Sequence, residues 1–137
     1  MAADDLVRRE EFFYADCVLA SDSRIIGFSV SDGAFVIGED LSADDLDTTD
    51  IFGNFRVEID GALYVGGEAS AHGSCGFFYK MTGGHLDWAL MSLESEPFMG
   101  VERCDGGIRF LAASGAAWTV RGDAVTRIHV QPRPSGR

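Results

Sequence analysis

Seven carboxylates and not one lysine or arginine lie between Ser31 and Phe55: Asp32, Glu39, Asp40, Asp44, Asp45, Asp47 and Asp50. Like charges set so close repel one another and work against a compact chain. On a protein of formal net charge -11, such a run is best tolerated where a cationic partner relieves it. Metal binding is the first chemistry to weigh. A calcium loop of the EF-hand kind needs alternating oxygen ligands, a glycine at its sharp turn and a closing glutamate. Counted from Asp40, the glycine's place is taken by Leu46. The spacing is wrong for that motif, so neither a metal nor any other cofactor is expected.

Four further groupings are weaker. His72-Gly-Ser-Cys75 puts an imidazole and a thiol in one glycine-rich turn, and a cysteine nucleophile needs a base within hydrogen-bond reach and a group to orient it. His85 or Asp87 are the nearest candidates for that assistance, yet nothing in the spacing requires it, so no catalytic residue is assigned. Cys17, Cys75 and Cys104 lack the close pairing of a structural zinc site. Glu94 and Glu96 stand two apart, as acid/base carboxylates on a strand would, but Leu-Glu-Ser-Glu-Pro entering a turn reads as a solvated edge that proline and charge protect from pairing. Gly66-Gly67-Glu68 and Gly83-Gly84-His85 do not match a phosphate-binding loop.

Composition narrows the classes. With 137 residues and 46% hydrophobic residues, ten of them Phe, the chain reads as one β-rich domain over residues 1–131 with a flexible tail over 132–137. A pI near 4.5 argues against nucleic acid and anionic membrane surfaces as ligands, because both attract cationic proteins. No apolar run reaches the length of a membrane span, and the acidic start Met1-Ala-Ala-Asp-Asp5 is unlike a secretory signal. Three cysteines, widely spaced, fit reduced thiols. The expected location is cytoplasmic.

The elements that must position these side chains are mostly strands. Asp4 to about Phe13 predicts a short helix, with acids in its first turn and Leu6, Val7 and Phe13 as core contacts. Beyond it, Asp-Gly pairs flanked by β-rich runs predict hairpins at Asp32-Gly33, Asp60-Gly61 and Asp105-Gly106. Further strands are expected at Gly76–Lys80, Asp87–Leu93, Ala117–Val120 and Thr126–Val130. Phe77-Phe78-Tyr79 cannot all face one way, so one face of that strand must be covered by another sheet or a partner. Ser42-Ala-Asp-Asp45 resembles a capping box and predicts a short acidic helix or ordered loop over about Ala43–Asp50, tied down by Leu41, Leu46 and Ile51.

The runs Gly33–Gly38, Gly61–Gly67 and Gly107–Ala113 share a glycine, a hydrophobic strand and then small residues, the grammar of a propeller blade or of a long meander. The chain is too short for a closed ring of blades. The fold class is therefore all-β, mainly an antiparallel meander closed as a sandwich or barrel with propeller-like repeats as a variant, with a short N-terminal helix and a short acidic helix or loop.

From Tyr64 to Val120 the chain carries Gly66-Gly-Glu-Ala-Ser-Ala-His-Gly-Ser-Cys-Gly-Phe-Phe78, Leu86-Asp-Trp88, Ser95-Glu-Pro-Phe98, the Asp105-Gly106 turn and Trp118. In these turn-and-core signatures it resembles small bacterial immunity proteins of polymorphic-toxin and contact-dependent growth-inhibition systems. The resemblance covers somewhat under half of the chain and carries over no binding residue. It implies a non-enzymatic cytosolic inhibitor of a toxin protein domain. Together with the charge it points to a nuclease with a basic cleft, met by Glu39, Asp40, Asp44, Asp45, Asp47 and Asp50, with Leu41, Ile51, Phe52 or Phe55 as apolar anchor. Two alternatives stand beside it: a small interaction module that oligomerises through an open sheet edge, and a cysteine-dependent enzyme using Cys75 and His72.

Overall fold

In the computed structural model, which describes residues 3–69 and 75–132, the chain leaves its first helix early. Helix α1 spans Ala3–Arg8 and strand β1 follows at Glu11–Phe13. The sequence predicts one helix through Phe13. What ends it is Glu10, whose φ of 59° lies in the left-handed region that interrupts a right-handed helix.

Strands β2 (Cys17–Leu19), β3 (Ile25–Ser31) and β4 (Ala34–Leu41) come next. A 3-10 turn over Ala43–Asp45 then leads into β5 (Thr48–Ile59). Strands β6 (Ala62–Ala69), β7 (Gly76–Thr82) and β8 (His85–Ser92) form a meander with β5. A second meander is made by β9 (Phe98–Cys104), β10 (Gly107–Ala112), β11 (Ala117–Arg121) and β12 (Ile128–Gln131).

The strands form an eight-stranded antiparallel sheet, in the order β1-β5-β6-β7-β8-β2-β3-β4, and a four-stranded one, β12-β11-β10-β9. The architecture is all-β. The glycine-led strands of the sequence pattern are β4, β6 and β10, and each of the last two is the second strand of a four-stranded meander. The expected hairpin turns are present: Asp32-Gly33 and Asp60-Gly61 all have positive φ, as a two-residue type I′ loop demands.

Aromatic side chains join the two sheets. Phe78 of β7 and Phe110 of β10, both 0% exposed, stack with centroids 3.8 Å apart and planes 4° apart. Around them lie Phe98, Trp88, Tyr64, Trp118 and Phe28. Successive side chains of a strand point to opposite faces, so Phe77 and Tyr79 leave this core and join a second one on the other face of the long sheet. There Leu6 and Val7 of α1, Phe12 and Phe13 of β1, and Cys17, Ile51 and Met91 close over them. The Phe-Phe-Tyr run is thus covered on both faces, by the second sheet and by the N-terminal segment.

Candidate functional site

The acidic segment is shorter in helix and longer in strand than the sequence predicts. Only Ala43–Asp45 turns, with Ser42 as its N-cap, extended and making no side-chain capping bond. By Thr48 the chain is already strand, paired with Phe13. Backbone bonds fasten the segment to the N-terminal elements: the Tyr14 N–H donates to the Asp47 carbonyl at 2.8 Å, and the Ile51 N–H to the Glu10 carbonyl at 2.9 Å. Ile51 is buried, while Leu41 and Leu46 are half-buried against the second core. These three side chains are the tethers expected of them.

The carboxylates themselves all face solvent. Glu39 and Asp40 end β4, Asp44 and Asp45 occupy the turn, and Asp47 and Asp50 lie at the start of β5. Asp32 is not part of this group. It sits in the β3–β4 turn, where Ser31 pairs Ala34, whereas Leu41 pairs Ile25 at the other end. At about 3.4 Å per residue the length of β4 separates them by about 24 Å. Within the described residues only Asp40 of the segment makes an ion pair, to Arg24 Nη1 at 3.6 Å, and Arg24 is shared with Asp22 at 3.0 Å. The six acids from Glu39 to Asp50 therefore keep most of their field.

Phe52 is 53% exposed and lies opposite Glu68 of β6. It stands on the same side of β5 as Asp50, with buried Ile51 between them. The bulge that follows, between Gly53 and Phe55, turns Asn54 toward β9, where its amide donates to the Phe98 carbonyl at 3.3 Å and reaches the Met99 Sδ at 3.4 Å. Met99 is itself 54% exposed. Gly67 permits this approach, because a Cβ there would overlap the Phe52 carbonyl oxygen. A cavity of about 240 Å³ opens beside the acidic turn, between Leu6 and Phe13 on one side and Ala43, Asp44 and Thr48 on the other. The Arg9–Glu11 pair, 3.8 Å apart, lies at its rim. Sequence reasoning missed this cavity because its two walls meet only when β1 pairs with β5.

The cysteine grouping is not assembled for catalysis by the residues described. Cys75 is buried and its thiol donates to the Leu93 carbonyl at 3.6 Å. Burial pushes that thiol up from its ordinary value, while a hydrogen bond from Tyr14 works in the opposite direction and Asp16 adds to the rise. A nucleophilic thiol needs the reverse. His72 lies outside the described residues. Cys75 immediately precedes the Gly76↔Ser92 end of the β7–β8 hairpin, while His85 is at the opposite, Thr82 end; neither His85 nor Asp87 is placed to assist. Among the described residues no three His, Cys, Asp or Glu side chains converge as a metal site would require, and no helix is long and apolar enough to cross a membrane.

No protein-family model, no curated protein and no solved structure matches this chain.

Proposed function

We propose that the protein is an immunity protein: a non-catalytic cytosolic inhibitor that captures a cationic toxin domain, a nuclease with a basic cleft, on the Glu39–Asp50 face. The supporting observation is that six carboxylates of one short segment stay exposed, with a single ion pair to a described residue, Arg24. Such a field steers a cationic partner into encounter, raising association toward about 10⁸ M⁻¹s⁻¹ at low salt. The cavity beside Asp44 and the exposed Phe52 offer the apolar anchoring that charge alone lacks. The test is the variant Asp44→Asn/Asp45→Asn/Asp47→Asn/Asp50→Asn. Its association with the cognate toxin domain should slow by about tenfold or more at low salt and lose much of its salt dependence. An unchanged rate and salt slope would overturn the electrostatic role.

A second reading has its own observation. Among the described residues strand β4 pairs with β3 alone, and it carries Val36 and Ile37, 51% and 37% exposed. An edge strand with one open side and exposed apolar side chains is a template for another strand. Self-association through it predicts a mass by light scattering that rises with concentration and is abolished by Val36→Lys/Ile37→Lys.

A further inference from the structure

At one end of the sandwich the two sheets part and leave a cleft of about 300 Å³. Its apolar wall is Phe28 of β3, Trp118 of β11 and Val130 of β12. Its rim holds three carboxylates far apart in sequence: Asp16, ahead of β2, and Glu94 and Glu96, in the bend between β8 and β9. None of the three makes an ion pair with a described residue. Asp16 is held in place by the Leu93 N–H, which donates to its Oδ1 at 2.7 Å. Burial raises its pKa, the Leu93 bond counters this, and the charge of Glu94 adds to the rise. A cation bound beside Asp16 would offset both the burial of its carboxylate and the neighbouring Glu94 charge.

A second observation comes from Ser92, 3% exposed. It follows Trp88 and Leu90 on the inter-sheet face of β8 and lines the cleft. No hydrogen bond to a described residue engages its hydroxyl, and no fully sealed side-chain polar atom is left unpaired. The Oγ therefore opens on the cleft. A buried hydroxyl in an apolar wall, beneath a ring of carboxylates, suits a ligand with a donor head and a hydrocarbon stem.

We infer that this cleft binds an alkylguanidinium or alkylammonium group, with its stem on Phe28, Trp118 and Val130 and its head between Asp16, Glu94 and Glu96. A guanidinium meets a carboxylate in a two-pronged bond, and its flat face suits an indole. The group can come from a free amine or from an arginine side chain of a protein. The cleft shares no residue with the Glu39–Asp50 face, so the two proposals stand or fall separately.

The full chain, labelled with ¹⁵N, is titrated with agmatine, with N-acetyl-arginine amide and with neutral butylurea. The expected result is a saturable shift of the Trp118 indole and of the Ser92 and Leu93 amides. The Trp88 indole, which donates to Asp123 at 2.9 Å, stays in place. Glu94→Gln/Glu96→Gln, both at exposed positions, should weaken binding about tenfold, equivalent to about 1.4 kcal/mol, with a spectrum as dispersed as that of the wild type. A stronger response to agmatine identifies the free amine as the source; a stronger response to the arginine amide identifies a protein side chain. The inference is overturned if butylurea binds as well as agmatine. Shifts confined to the Asp44–Asp50 amides, or affinity unchanged in the double variant, would overturn it equally.

Discussion

Replacing Phe110 with alanine tests whether the two sheets form one cooperative unit. Its ring is 0% exposed and lies flat on Phe78 at 3.8 Å. It also meets Tyr64 at 6.0 Å, Trp88 at 6.1 Å and Phe55 at 6.3 Å. These four rings belong to the eight-stranded sheet, so this one side chain carries much of the contact between layers. Truncating a buried Phe to Ala typically costs about 3–5 kcal/mol, the lost transfer energy plus the cavity left behind. Because the site is walled by rigid rings that cannot readily collapse, the upper part of that range, about 4–5 kcal/mol, is expected.

Natural domains hold only about 5–15 kcal/mol, so Phe110→Ala removes about a quarter or more of the total. Phe110→Leu keeps most of the volume and should cost about 1–2 kcal/mol, largely the ring-on-ring contribution. The control is Phe52→Ala, which at 53% exposure should stay within about 0.5 kcal/mol. Urea unfolding followed by tryptophan fluorescence and by far-ultraviolet circular dichroism reads all three. Trp88 and Trp118 report from opposite sheets. A loss below about 1 kcal/mol for Phe110→Ala would refute the reasoning. So would separate transitions by the two probes in the wild type, which would mean that the layers unfold independently.

Gly67→Ala should destabilise by about 3 kcal/mol or more, because the added methyl meets the Phe52 carbonyl and the Asn54 N–H of the bulge rather than a side chain that can swing away; calorimetry should show a lower midpoint at unchanged cooperativity. In thiol labelling of the native protein near pH 8, half-buried Cys104 should react first, and buried Cys17 and Cys75 only as the chain opens. Burial pushes the Cys17 thiol up to about 12, with the Asp16 charge adding to the rise. Its folded value thus lies above the unfolded one, so the stability it contributes is intact below about pH 8.5 and is lost as pH rises toward 12, at up to about 1.4 kcal/mol per pH unit. A stability curve flat over that alkaline range would contradict this.

Hairpin positions were legible because their signal is local. An Asp-Gly pair between β-branched runs states both the turn and its handedness, and Asp32-Gly33 and Asp60-Gly61 fold with the positive φ those residues accept. The acidic segment was legible as exposed charge for a similar reason, since neighbouring carboxylates seldom share a dry site. The N-terminal strands were not. Glu11–Phe13 and Cys17–Leu19 have three residues each, too few for a period, and both are strands only because β5, β8 and β3 pair with them. Leu6, Val7 and Phe13, expected as core contacts of a single helix, do reach the core, but from two different elements. The rim of the inter-sheet cleft was hidden more deeply. Glu94 and Glu96 read as a solvated turn, and nothing near Asp16 in sequence announces that they will share a charged mouth with it.

The place of β2, between β8 and β3 with Cys17 opposite Met91, bears on how the chain is made. During synthesis the ribosome releases this strand well before its neighbour β8, which is not complete until Ser92 has been translated. Closing so long a loop is entropically costly and slow. The nascent Cys-Val-Leu segment must wait with an unpaired edge while the β3–β4 hairpin and the meander from Thr48 to Ser92 form around it, and its insertion completes the long sheet.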